Sequence, residues 1–285
     1  MRVIVVCSAL VVAGLVVVVR WGGLAVEAPP VPVADTAGRT RRPPGLVLRC
    51  YLWYLAVAVT SGLVAGALAA GAGGRLVMRL LAVTAGADAQ GRITEADQLV
   101  GRITVGGTLG FVVFTGLFFG LVSGLVYLLL HRWLPAGWVG GLAYGVLLLV
   151  VAGTRIEPLR RDNPYFDLVG PGWLSVTAFA ALVLFHGLLV AALAGRLSRA
   201  VPLLAALPGA IAAHAPLLLM GVLVPLGLIA AVIGVVVIGA SQVPQVVAAM
   251  QAPRLTVVGR VALAVAGLVL VPGFVSAVVD IVGRG

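Results

Sequence analysis

Long runs without a charge, separated by short segments where charge collects, set the pattern of this chain. Residues 103–130 carry no charged side chain, and 105–130 is a predominantly apolar run of 26 residues. At about 1.5 Å rise per residue, a helix of that length extends about 39 Å and crosses a hydrocarbon core of about 30 Å with tilt to spare. The same reading places spans at 3–19, 51 to about 74, about 136–153, about 173–193, 216–238 and about 261–279. The pattern predicts an all-α, polytopic transmembrane helix bundle of about seven spans. The uncertain window is 200–253, where 54 residues carry no formal charge, too many for one span and cramped for two. Pro202, Pro208 and Pro216 place 201–215 at the interface; a second span there makes the alternative total eight. Pro272 predicts a kink in the last span, supported by neighbouring helices.

Three regions follow. Arg2 and the 17 uncharged residues after it look like a secretory signal, but the run exceeds an h-region of about 7–15 and no clean Ala-x-Ala site precedes Glu27. Residues 1–20 are therefore expected to be an uncleaved membrane anchor. Residues 21–49, rich in Pro and Arg, are expected to be a flexible linker, because such composition buries little apolar area. Residues 50–285 make a six-helix membrane domain, opening with Tyr51, Trp53 and Tyr54 at headgroup level.

Glycines recur at helical spacing: Gly62 and Gly66, then Gly116, Gly120 and Gly124, then Gly137, Gly141 and Gly145. Lipid tails supply little hydrophobic drive between helices, so close backbone approach along such stripes provides the van der Waals contact. With only residues 131–135 between them, the third and fourth spans are expected to close on each other as a tight antiparallel hairpin.

Charge gathers in two loops. The first contains Asp88, Glu95 and Asp97 and carries Gly-Arg-Ile-Thr twice, at 91–94 and 101–104. Thr94 with Asp97 resembles a capping box, or the two copies pair as a small hairpin. The second loop contains Arg155, Glu157, Arg160, Arg161, Asp162 and Asp167. Two spans separate the loops, which puts both on one face as a small charged cap holding six of the nine acidic residues. The candidates there for ligand binding or ion pairing are Arg75, Arg79, Asp97, Arg161, Asp162 and Asp167. Arg75 and Arg79 share one side of a helix at i and i+4, as snorkelling anchors or as a site for an anionic group. The acids fit no calcium loop and have arginines beside them, which favours ion pairing.

Composition turns this pattern into a class. Apolar residues make up 62% of the chain, charged residues 10%, and the mean hydropathy is +1.19, which describes an integral membrane protein. A net charge of +10 invites a nucleic-acid reading, but the 19 basic residues, all arginine, spread over every loop and read as anchors and orientation signals. No nucleic-acid partner is expected. On seven spans the linker face holds nine arginines and the other face ten. The Arg41, Arg42 and Arg49 group abutting a span places the linker in the cytoplasm and the cap outside. Cys7 and Cys50 form neither a metal set nor a disulfide framework.

Catalytic motifs are scarce. There is no Gly-x4-Gly-Lys-Ser/Thr, His-Glu-x-x-His or Gly-x-Ser-x-Gly. Ser123 and His186 are the one pair suited to intramembrane serine chemistry, yet counted from level helix starts they differ in depth by about 7 Å. No enzyme, cofactor or metal is expected. His186, ionisable inside a span, is expected to be structural, with proton or ligand handling as the alternative.

The run Gly74-Arg75-Leu-Val-Met-Arg79, the segment from Gln90 through Thr108, and Arg161-Asp162-Asn163 with Gly170-Pro-Gly-Trp-Leu-Ser175 resemble multi-pass integral membrane proteins of high-GC Gram-positive bacteria. The resemblance covers about 51–199 and implies the bacterial inner membrane and no reaction. The expected function is a structural or partner-binding membrane component that meets the lipid bilayer and either a membrane-protein partner or a second copy. The alternative is a small-solute transporter or channel using His186 and a cavity under the cap.

Overall fold

A computed structural model of the chain describes residues 2–32, 41–93, 99–101, 104–156, 158–160, 162–163, 166 and 170–284. Among these the fold is all-α. Nine helices follow in order: α1 Arg2–Trp21, α2 Pro44–Thr84, α3 Val105–Leu130, α4 Gly137–Gly153, α5 Gly172–Ala200, α6 Pro208–Val222, α7 Val224–Ser241, α8 Pro244–Gln251 and α9 Pro253–Val282. Helices α1, α2, α3, α5, α7 and α9 are long and apolar enough to cross a membrane, while α4 and α6 are shorter apolar helices. The protein is a polytopic helical membrane bundle with about six spans.

Helix α2 is the axis of the bundle. Its most apolar stretch is 72% buried inside the protein, against 11% for α7 and 6% for α9. Trp53, fully buried, donates its indole N–H to the Val201 carbonyl at 2.8 Å and so ties α2 to the end of α5. At 41 residues, about 62 Å at 1.5 Å per residue, α2 outruns any hydrocarbon core and carries Arg75 and Arg79 beyond it without a break.

The predicted sixth span, 216–238, is not one helix. It breaks at Leu223 (φ −90°, ψ 67°), because Pro225 in the first turn of α7 has no N–H to continue a helix and its ring disfavours the helical conformation before it. Helices α6 and α7 form a hairpin instead. The Arg49 guanidinium donates to the Leu204 carbonyl at 2.8 Å just before α6, and the Gln242 amide reaches the Arg42 carbonyl at 3.5 Å just after α7. Both ends of the hairpin therefore lie beside the start of α2, while Leu223 at its tip packs with Leu55, Val59 and Leu121 in the interior.

This hairpin changes the sidedness of the C-terminus. Helix α9 starts beside the α3–α4 turn, where Arg132 donates to the Met250 carbonyl at 2.7 Å and Gly259 lies against Trp133. It ends with Ile281 against Gly172, at the start of α5. Arg254 and Arg260 therefore lie at the linker end and Arg284 at the cap end, the reverse of the seven-span reading. The helix of α9 continues through Pro272.

The expected linker is partly docked. The Glu27 N–H donates to Ser198 Oγ at 3.0 Å, its carboxylate pairs with Arg199 at 2.8 Å, and Arg199 also donates to the Ala25 carbonyl. Residues 44–49, read as linker from their prolines, begin α2: Pro44 occupies the first turn, where its missing N–H costs nothing, and Leu46 and Val47 are buried.

The glycine stripes meet partners other than those expected. Gly116, Gly120 and Gly124 of α3 face α2: a methyl on Gly120 would overlap the Gly62 carbonyl, and one on Gly66 would overlap the Gly116 carbonyl. Gly141 and Gly145 of α4 face α5, with the Leu188 and Leu184 Cα atoms 3.0 and 2.9 Å from where a methyl would sit. Gly137 is not in a stripe; it takes a left-handed φ of +65° at the start of α4, against the Gly23 backbone. The tight α3–α4 hairpin is therefore corrected to two seams, α2–α3 and α4–α5. A short turn fixes that two helices are antiparallel, but the deeper notch decides which neighbour each backbone approaches.

Candidate functional site

Near their shared turn α3 and α4 do touch. The rings of Tyr127 and Tyr144 meet edge to face at 5.1 Å. One turn further in, Tyr144 donates to the Ser123 carbonyl at 2.6 Å, Ser123 Oγ lies 3.0 Å from Tyr144 Oη, and His186 Nε2 of α5 lies 2.8 Å from Ser123 Oγ. All three side chains are buried. The single Tyr144 proton is committed to the carbonyl, so the Ser123 hydroxyl donates either to Tyr144 Oη or to His186 Nε2. The other ring nitrogen, Nδ1, lies on the buried side of the imidazole and makes no hydrogen bond of ordinary geometry.

From this cluster toward the cap, a cavity of about 170 Å³ opens between α3 and α4. Phe111, Thr115, Phe119 and Ser123 line it from α3, and Leu148 and Ala152 from α4. Ala70 and Gly74 of α2 and Phe179, Leu182, Val183 and His186 of α5 close the back. Each of these first three helices is π-helical for a stretch, at Gly66–Gly73, Val112–Leu117 and Leu149–Gly153, and each stretch places a residue on the cavity wall: Ala70, Thr115 and Ala152. A π turn takes an extra residue per hydrogen bond and widens the helix locally, and such bulges concentrate at functional sites. Ser123 and His186 are the polar groups at the deep end of a space that is otherwise apolar except for Thr115.

The depth argument that separated Ser123 from His186 is therefore overturned. It assumed level helix starts and parallel axes, and the π-helical turns of Val112–Leu117 shorten the path from the start of α3 to Ser123. The contact still lacks the parts of a nucleophilic site. Ser123 sits inside regular helix, where neighbouring backbone N–H groups are bonded along the helix and cannot serve an oxyanion, and the imidazole is flanked by the Ala65 carbonyl, not by a carboxylate that would stabilise it as a charged base. Tyr144 escaped the sequence reading altogether. The available signal was that Ser123, Tyr144 and His186 are hydrogen-bonding side chains deep in three otherwise apolar runs, and such groups seek one another in lipid.

The cap candidates divide. The Arg75 guanidinium stacks 5.3 Å from the Phe111 ring centroid, at the cap-side rim of the cavity. Arg79 donates to the Gly101 carbonyl at 3.0 Å. Asp162 pairs with Arg160 at 3.1 Å, an exposed contact worth little. Asp97, Arg161 and Asp167 lie outside the described residues, as do Thr94 and the proposed capping box. A small hairpin is present, but among the described residues it does not pair the repeats with each other: the first copy pairs with the residues just before the second, Ile93 forming an antiparallel bridge with Leu99 and Val100 N–H donating to the Arg92 carbonyl at 2.9 Å, while Gly91 and Gly101 take left-handed φ of +80° and +84°. The second copy continues into α3, with Thr104 capping the Gly107 N–H at 3.1 Å. Val100 and Leu174 pack on Leu81, and Gly170 meets Thr84 Oγ1, which gathers both loops at one end.

At the opposite end His131 hydrogen-bonds through Nδ1 to the Leu128 carbonyl at 2.6 Å. Burial pushes its pKa below the ordinary value; the hydrogen bond opposes the shift and Arg132 adds to it. Among the described residues no group of three or more His, Cys, Asp or Glu could hold a metal, and both cysteines are free thiols. No known protein family matches the chain, and comparison with curated proteins and solved structures yields no similar protein.

Proposed function

We propose that this chain is a non-enzymatic structural or partner-binding component of a bacterial inner membrane. The observation that carries the reading is the dry seam between α2 and α3, where Gly62, Gly66, Gly116, Gly120 and Gly124 bring backbones together with no room for a methyl group. Transport needs a polar path between helices, and the cavity beside this seam is walled by apolar side chains except at Ser123, Thr115 and His186. Two outlying helices, α7 and α9, offer most of their surface to lipid or to a neighbouring membrane protein.

The test uses a cysteine-free background, since Cys7 and Cys50 are the native thiols. Thr115→Cys or Ser123→Cys in intact membranes should resist a charged, membrane-impermeant thiol reagent applied from either side. Rapid modification would show an aqueous path and favour the transporter or channel, the reading supported by the cavity and His186.

The linker is proposed to be cytoplasmic, on the Arg41, Arg42 and Arg49 group beside α2 and the scarcity of acids at that end. Ala87→Cys, at an exposed position of the first cap loop, and Arg284→Cys should then be labelled from outside and Thr36→Cys should not. Labelling of Thr36→Cys alone reverses the orientation, and labelling that separates Ala87→Cys from Arg284→Cys contradicts the course of the C-terminal helices.

A further inference from the structure

We propose that the cleft between α3 and α4 is a binding site for a lipid-soluble, alkanol-like molecule, one with an apolar body and a single hydroxyl group, received from the bilayer rather than from water. This goes beyond the structural reading above, which assigns the cleft no ligand.

Three independent features converge on it. Size is the first: a cavity of about 150 Å³ lined by apolar side chains admits a molecule as large as benzene, and this one, at about 170 Å³, lies in the same range. The second is backbone form. Three separate helices depart from regular α geometry where they face the cavity, and the departures place the small or short side chains Ala70, Thr115 and Ala152 on its wall, where α-helical packing would otherwise close the space. The third is polarity. A void that served only as a packing gap would be apolar throughout, whereas Ser123 and His186 stand at the inner end of this one, held in position by Tyr144. One hydroxyl can exchange hydrogen bonds with that pair, while a charged group at this end would leave water with no counter-ion beside it, since Arg75 stands over Phe111 at the opposite, cap-side rim.

The direction of access follows from the rim. Phe119 on the wall is 36% exposed, and its neighbours Phe114 and Phe118 are 77% and 44% exposed. Val151 of α4, next to Ala152 of the opposite wall, is 38% exposed. These large apolar surfaces suit acyl chains, so the opening faces lipid, and a longer alkyl chain can extend through it into the bilayer while its hydroxyl stays at Ser123 and His186. Arg75 over Phe111 closes the cap-side rim, away from that opening.

The experiment is photolabelling of the full chain in lipid vesicles with a diazirine-bearing octanol, followed by peptide mapping. Adducts should concentrate on α3, α4 and α5 residues of the cleft, and 1-octanol should compete about fivefold better than octane, the difference worth one hydrogen bond. Ala152→Leu, which fills the cleft, should remove these adducts and leave labelling of α7 and α9 unchanged. His186→Gln should keep the labelling and lose most of the preference for octanol, which a purely structural histidine would not alter. Adducts spread over α7 and α9 as heavily as over the cleft, or equal competition by octane and octanol in the native protein, would overturn the proposal. Because the reagent is lipid-soluble, cleft labelling together with water-accessible Thr115→Cys would keep this site and sink the structural reading, so the two fail separately.

Discussion

At the scale of single residues, the side chains that matter are those whose polar atoms had to find partners away from water. Tyr144, Ser123 and His186 solve this together on three helices. His131 solves it locally, by donating to the carbonyl three residues back. The consequence for His131 is a pH dependence of definite sign. Its folded pKa lies below the ordinary value of about 6.5, so the fold favours the neutral ring. Above that ordinary value both folded and unfolded states are neutral and the stabilisation is fully present. As pH falls, the unfolded chain takes up a proton first, and stability declines until the folded ring titrates as well. The melting temperature in detergent should therefore fall more steeply between pH 7 and pH 5 for the native chain than for His131→Gln. Equal slopes would remove the claim. Neither partner could be read from the sequence, because a histidine's burial depends on which helix packs over it. The pairing of Ser123 with His186 was rejected for a related reason: counting rises from helix ends ignores π turns and uneven starts.

Single elements were legible where charge and length alone decide them. The bounds of α3, residues 105–130, and the end of α4 at 153 follow from where charge stops and resumes. The glycine stripes were legible too, but not their partners, since a stripe shows that a backbone can be approached and not by whom. The α6–α7 region was misread as an interfacial segment followed by one span, although Pro225, the residue that ends the helix at Leu223, was in view. The seams make a prediction at this scale. Gly120→Ala inserts a methyl into the Gly62 carbonyl and should destabilise the protein by about 1–3 kcal/mol, the usual cost of overpacking. Gly110→Ala, on the same helix with open space around it, should be neutral or slightly stabilising. Detergent unfolding of the two variants checks the pair, and equal effects would mean that α3 is not notched against α2.

For the whole molecule, the account rests on which helix pairs with which. Composition and periodicity established a polytopic helical bundle with its charged loops at one end. They did not supply the order of packing, because apolar helices of similar length and composition are interchangeable until glycine notches, buried hydrogen bonds and proline breaks distinguish them. With α3 seated on α2 and α4 on α5, the space between α3 and α4 is left as a cleft rather than a seam, and the polar cluster and cavity both follow from that arrangement. Disulfide trapping in membranes, in a background lacking Cys7 and Cys50, measures it directly. A methyl at Gly141 would lie 3.2 Å from the Ala191 Cβ, within bonding reach once each carries a thiol. Oxidation should therefore cross-link Gly141→Cys with Ala191→Cys and fail to cross-link Gly141→Cys with Gly120→Cys. Cross-linking of the second pair without the first would mean that α3 and α4 close on each other and that no cleft exists.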